Sequence, residues 1–295
     1  MTYAIKKYQE EFLDAQERVG KKATETWKSF AQTPADQLKH VYSQPGFDPE
    51  TRFYCFKDGE LIGFLTSKAE EGGTKASLEF PLVLPGYKDA ESLLFEKALE
   101  VLRGKGVKTV QTRVSEGWGN TVEMAKKWGY TFAEELAIIY CAPVDTAHIK
   151  ALPGLEEIAD YDHEKDLEQM VDIFVNNFGM TPEHARTNFE TLEKAGDKIA
   201  AHVVIRKEGK IIGRALCVRH DDPSRAYTGA IYVTDENQRG LLLTKILAIC
   251  KEKGIKELDT SISDDLLPRK DELKALYESL GFAHTGTISF YEKEI

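Results

Sequence analysis

The chain has 295 residues, of which 42 % are hydrophobic and 30 % charged, with a formal net charge of -10. Its length suits two domains of roughly 100–200 residues, and its balance is that of a globular chain. An acidic excess leaves no cationic surplus to release counterions from nucleic acid, and no apolar run reaches the ~18 residues of a membrane span, so neither partner is expected.

The N-terminus, MTYAIKKYQEEF, has no apolar signal core. Cys55, Cys141, Cys217 and Cys250 are scattered without a CxxC pair. They read as reduced thiols of a cytoplasmic protein, with no metal site.

In chain order, Tyr8, Phe12, Ala15 and Val19 give a first helix one apolar face. Thr33-Pro34 predicts a second helix, with threonine as N-cap and proline at the first helical position. Strand-like runs Arg52–Phe56 and Leu61–Thr66 flank a charged-residue–glycine hairpin signal. A third strand, Ala76–Leu84, leads to a helix with Phe95, Ala98, Leu99 and Leu102 on one face. Lys105-Gly106 closes that helix with a cation and a glycine at its negative end. Strand Val107–Val114, a helix and a final strand pair follow.

The same order then returns. KDGELIG at Lys57 reappears as KEGKIIG at Lys207, GKGVKTVQT at Gly104 as EKGIKELDT at Glu252, and KKWGY at Lys126 as ESLGF at Glu278. Thr33-Pro34 reappears as Thr181-Pro182. Several matches in one order, at nearly constant spacing, mean duplication. Leu167, Met170, Val171, Phe174 and Phe178 face the second half's first helix. Strands Ala201–Arg206, Ile211–Val218 and Ala226–Val233 follow, then a helix with Leu243, Ile246, Leu247 and Cys250 on one face and strand Ile255–Ile262. An extra opening strand is expected only here, at Leu155–Ala159. The boundary falls near Cys141–Pro153, giving domains 1–145 and 150–295.

This order resembles the GNAT superfamily of N-acetyltransferases, once per half. The resemblance implies an α/β (α+β) fold of two tandem domains. Each has a mixed, mostly antiparallel sheet, with a central splayed strand pair flanked by helices. It also implies acetyl-CoA as co-substrate and no metal. In the family, acetyl-CoA lies in the strand split, and its pyrophosphate rests on a glycine-rich turn that opens the next helix. Such a turn works because a helix N-terminus offers N–H donors to an anion.

The matching stretch in the second half is AIYVTDENQRGLLLTKIL, from Ala230. It nominates Ile231, Val233, Gln238, Arg239, Gly240, Leu241, Leu242, Leu243 and Thr244 for the cofactor. Either Gln238 or Arg239 fills the family's arginine position, and leucines stand where the family has glycines. In the first half, Val83, Pro85, Tyr87 and Lys88 match the strand-end pattern, but Asp89 and Glu91 follow, and two carboxylates would repel a pyrophosphate. The first half is therefore expected to be a degenerate copy.

Tyr277, four residues before Gly281, takes the family's general-acid position, where Ala125 stands in the first half. A phenol there can protonate a departing thiolate. The other reading is a packing tyrosine, since Leu273, Leu276 and Leu280 share its face. His220 is the tentative base, beside Asp221 and Asp222, which equally suit a solvated turn. Glu79 points into the analogous first-half cleft or away from it. The expected function is acetyl transfer to a primary amine of a small molecule or peptide, by a monomer or homodimer. The alternative is a non-catalytic ligand- or partner-binding protein built on two decayed domains.

Overall fold

The chain divides into two units, Met1–Ile138 with Gly286–Ile295, and Ile139–Thr285. The structure, a computed structural model, describes residues 3–28, 30–69, 72–149, 152–229 and 231–295. Ala230, and residues 150 and 151 of the expected boundary, lie outside them.

The first unit runs β1 (Ala4–Lys7), α1 (Leu13–Ala23), α2 (Ala35–Tyr42), β2 (Arg52–Lys57), β3 (Glu60–Ala69), β4 (Lys75–Leu78) and β5 (Leu82–Val83). It continues with α3 (Asp89–Gly104), β6 (Thr109–Ser115), α4 (Thr121–Lys127) and β7 (Thr131–Pro143). The second repeats the plan with β8 (Ile158–Asp160), α5 (His163–Phe178), α6 (Pro182–Lys194), β9 (Ile199–Lys207), β10 (Lys210–Arg219), β11 (Arg225–Thr228) and β12 (Tyr232–Val233). Then come α7 (Asn237–Glu252), β13 (Glu257–Ser263), α8 (Lys270–Ser279) and β14 (Ala283–Glu294).

Local chemistry explains the repeated elements. Asp58-Gly59 (φ 50 and 87) and Glu208-Gly209 (φ 52 and 76) both hold positive φ, the type I′ geometry that a tight hairpin needs. Thr181 caps α6 as expected, its hydroxyl accepting from the His184 N–H at 3.2 Å. The first-half copy differs. Pro34 itself is the N-cap residue of α2, and the Ala35 N–H is satisfied by the Glu17 carboxylate at 2.7 Å. α3 and α7 both end at a lysine followed by positive-φ glycine, Gly106 and Gly254.

The first unit's sheet runs β1-β2-β3-β4-β6-β14, with β4 and β6 parallel. The second runs β8-β9-β10-β11-β13-β7, with β11 and β13 parallel. α3 buries Leu94, Phe95, Ala98, Leu99 and Leu102 against the first sheet, and Phe95 stacks on Trp128 at 4.0 Å and 7°. α7 buries Leu242, Leu243, Ile246, Leu247 and Cys250. The distant Cys217 and Cys250 sulfurs approach to 3.7 Å within that core, as free thiols.

Three expectations are corrected. The first half also has an opening strand, β1, paired antiparallel with β2. The predicted third strands each break in two, β4/β5 and β11/β12. The final strand pairs are single long strands. β7 leaves the first unit at Ile138, and β14 enters it at Gly286 to pair with β6 from Ile288↔Ser115 to Glu294↔Thr109. No positive-φ residue occurs in either strand to turn the chain back. Among the described residues, no helix is long and apolar enough to cross a membrane.

Candidate functional site

In the first unit, β4 and β6 are hydrogen-bonded from Lys75↔Thr109 to Ser77↔Gln111, and the ladder stops there. The chain then bulges at 79–81, and β5 pairs back onto β3 through Gly63↔Val83 and Phe64↔Leu82. Gly63 permits this return, because a Cβ there would lie 2.8 Å from Val83 Cγ2. The result is a parting of two parallel strands, the feature expected at the centre of each half.

A cavity of about 470 Å³ opens at this parting. Glu79 on the bulge and Arg113 on β6 both line it, joined by an ion pair of 3.0 Å. Phe64, Thr66, Phe80 and Leu82 form its strand wall, and Trp27, Phe30, Leu38 and Tyr42 its outer wall. Two loops lock together over it: Lys28 N–H donates to the Gly117 carbonyl at 2.9 Å, and Trp118 Nε1 donates to the Lys28 carbonyl at 3.0 Å. Trp27, Phe30, Arg113 and Trp118 were missed in the sequence. The signal for the three aromatics was two short segments, WKSF and GWGN, between predicted elements, and Arg113 on its strand gave none.

The second unit has the same parting, after Tyr227↔Asp259. Beneath α5 and α6, however, its face is filled. Arg214 is buried, its Nε donating to His202 Nε2 at 3.0 Å and its guanidinium lying 5.4 and 5.9 Å from the Phe174 and Phe189 rings. His202 stacks on Tyr161 at 4.0 Å. Burial pushes His202 down to about 3, so it is neutral and can accept, and pushes Arg214 down to about 10.

The cofactor residues expected in this unit are placed as follows. α7 begins at Asn237, so Gln238, Arg239 and Gly240 are already helical. The N–H groups of Gln238 and Arg239 donate to the Asp235 and Glu236 carbonyls at 2.9 and 3.1 Å, and that of Asn237 donates to the Asp235 carboxylate at 3.0 Å. Arg239 is only 3 % exposed. It donates to Glu236 at 2.8 and 3.2 Å and to the Ile231 carbonyl at 3.4 Å. Arg269 binds the same Glu236 at 2.8 Å, and bonds from these arginines hold that carboxyl below its usual range despite burial. A Cβ on Gly240 would meet Leu276 at 3.1 Å, so the glycine packs on a side chain of α8. Leu242, Leu243 and Thr244 face the core, while Leu241 is half-buried and Val233 is tied to Gly213. A pyrophosphate would meet Asp235 and Glu236 here, with the arginine already neutralised. The side chains do not fit it.

Tyr277 is 1 % exposed, its hydroxyl donating to the Ser261 carbonyl at 3.4 Å and its ring edge-on to Tyr140 at 5.4 Å. Burial raises its phenol, while Arg239 and Thr260 act in the opposite direction. His220 lies 3.3 Å from the buried Asp259 carboxylate, which Arg225 also reaches at 3.2 Å. Asp222 is occupied by the Ser224 hydroxyl and N–H.

The first-half turn is more open than its sequence implies. Gly86 holds φ 94 with nothing within 4 Å of a Cβ. Lys88 is exposed at the start of α3. Of the two carboxylates beside it, burial raises Glu91 against the pull of Lys88 and Lys127, while Asp89 stays exposed and accepts from the Tyr3 hydroxyl at 2.8 Å. The Ala90 and Glu91 N–H groups donate to the Tyr87 and Lys88 carbonyls at 2.9 and 3.2 Å, as at the start of α7, so what this turn offers an anion is the open glycine and the exposed cation. Among the described residues, no group of three His, Cys, Asp or Glu side chains could hold a metal.

No protein-family model and no curated protein sequence matches the chain. Solved structures do. A GCN5-related N-acetyltransferase from Sphaerobacter thermophilus is 15 % identical with a TM-score of 0.65, over 99 % of this chain and 95 % of that one. A tandem GNAT protein from the clavulanic acid biosynthesis pathway is 17 % identical with a TM-score of 0.68, over 99 % and 98 %. A GNAT-family acetyltransferase from Colwellia psychrerythraea is 16 % identical with a TM-score of 0.69, over 98 % and 99 %. Similarity at this identity speaks to fold rather than reaction. The protein has the tandem GNAT fold, two copies of one split-sheet unit in a single chain.

Proposed function

We propose that the protein transfers an acetyl group from acetyl-CoA to a primary amine held in the first unit's cavity. The observation that carries this reading is the Glu79 carboxylate on the cavity wall, at the parting of β4 and β6. Acetyl-CoA would supply the activated acyl group, and Gly86 and Lys88 are the residues that would hold it. An amine attacks only when neutral. Glu79 would take its proton, Arg113, 3.0 Å away, would keep the carboxylate aimed, and the proton would end on the departing CoA thiolate by way of water, since Ala125 supplies no acid in this unit. The aromatic loops would exclude water from the amine.

The test is thiol release from acetyl-CoA with a panel of primary amines. Glu79→Gln should slow transfer by about 10²-fold or more, the usual worth of a positioned base. Unchanged turnover would remove Glu79 from this role. No release with any amine would favour the non-catalytic reading.

A second reading puts transfer in the second unit, on Ile231, Val233 and Gln238–Thr244. It is favoured by Tyr277, whose hydroxyl meets β13 at Ser261, two residues beyond the last β11 pair, with Asp259 at that pair and His220, which follows β10, 3.3 Å from its carboxylate.

A further inference from the structure

The cavity in the first unit is lined by one anion and one cation. Glu79 and Arg113 keep 37 % and 43 % of their side-chain surface, so a ligand can reach both. The neutral polar groups nearby are largely occupied. Gln16 accepts from the Tyr54 hydroxyl at 2.7 Å and donates to the Tyr42 hydroxyl at 3.3 Å, and the Thr121 hydroxyl donates to the Ser115 carbonyl at 3.0 Å. Charge recognition therefore falls to the Glu79–Arg113 pair.

Beside it stands an aromatic wall. Trp27 and Trp118 are parallel within 7° at 5.7 Å, and Phe30 stands edge-on to both at 4.9 and 5.3 Å. The Arg113 guanidinium lies 5.9 Å from the Trp118 ring, so the charged pair and the wall are within reach of one small molecule. The wall is fixed: the loops are cross-bonded, and a Cβ on Gly119 would lie 2.7 Å from Trp27 Nε1.

We propose that this cavity recognises a zwitterion with a flat apolar group, that is, an aromatic α-amino acid. Its ammonium sits on Glu79, its carboxylate on Arg113, and its ring against Trp27, Phe30 and Trp118. Such a ligand adds a partner to each member of the ion pair without breaking it, since the Glu79 carboxylate can accept from the ammonium as well as from Arg113, and Arg113 has N–H donors beyond the one it gives Glu79. A plain amine forgoes the bond to Arg113 and a plain acid the bond to Glu79, each losing one charge-assisted contact. At about 470 Å³ the space is at the smaller end of the ~300–1,000 Å³ typical of small-molecule sites, which suits one ring and a short polar head. Ring-on-ring contact adds affinity for an aromatic side chain over an aliphatic one.

This inference rests on the cavity being the acceptor site, but its test needs no acetyl-CoA. The full chain is titrated calorimetrically with L-phenylalanine, phenethylamine and 3-phenylpropionate. L-phenylalanine should bind at least about tenfold tighter than either analogue. Arg113→Gln should erase its advantage over phenethylamine, and Glu79→Gln its advantage over 3-phenylpropionate. The wild-type series stands whether or not the variants fold. Equal binding of phenethylamine and L-phenylalanine overturns the proposal, as does no binding of L-phenylalanine at millimolar concentration. Selective binding without thiol release on adding acetyl-CoA would keep this inference and remove the proposed reaction. Transfer to other amines without such binding would do the reverse.

Discussion

The two units share a plan and differ in what fills it. After the equivalent glycines, the first unit has Phe64 and the second Arg214. Phe64 helps to line a hollow, whereas Arg214 reaches under α5 and α6 to His202 and two phenylalanine rings. The helix starts diverge in the opposite sense from their sequences. The second has the arginine and glycine of a phosphate turn, but locks the arginine onto Glu236. The first has two acids, but presents an open glycine and an exposed lysine. Duplication frees one copy to trade a ligand-sized space for packing. Which copy did so is read from side-chain partners rather than from motif letters.

Changes that blur this difference test it. The largest effect is expected from Trp128→Ala, which removes the partner of Phe95 beside α3. It should cost ~3–5 kcal/mol of stability, measured by denaturant unfolding. Thr66→Leu places in the cavity the residue that the second unit has at Leu216. It should lower L-phenylalanine affinity by about tenfold or more with an unchanged or raised melting midpoint. An unchanged affinity would show that the hollow is not where ligand binds.

The filled unit should carry a pH signature that the hollow one lacks. His202 stays neutral down to about 3, while the unfolded chain protonates it below about 6.5. In that window the unfolded state binds the extra proton, so stability is full above 6.5 and falls on acidification. The slope is at most ~1.4 kcal/mol per pH unit. Between pH 7 and 5, His202→Phe should flatten it, and an unchanged slope would mean that His202 is solvated. The smallest effect is expected at Tyr277→Phe, which loses one long bond of 3.4 Å and should leave turnover within about twofold. A large loss would restore the second unit as the seat of transfer.

Much of the fold was legible. KDG and KEG are two-residue turns because each places glycine second, and the i, i+3, i+4, i+7 faces of α3 and α7 are the buried ones. β1 was not legible, because AIKK is an edge strand whose residues are mostly exposed and show no alternation. The continuity of β7 and β14 depends on partners distant in sequence. So does the cavity, since Trp27, Glu79 and Arg113 meet only after folding. The fate of Arg239 was within reach: Glu236 stands three residues before it, the spacing at which helical side chains pair.

We propose that the first unit is the one that handles acetyl-CoA. Hydrogen–deuterium exchange with and without saturating acetyl-CoA tests it most directly, since it needs neither an acceptor nor a mutation. Slowed exchange is predicted at residues 82–91, around Gly86, Lys88 and the start of α3, with residues 231–247 unchanged. Protection confined to 231–247 would contradict the account and return the cofactor to the turn before α7.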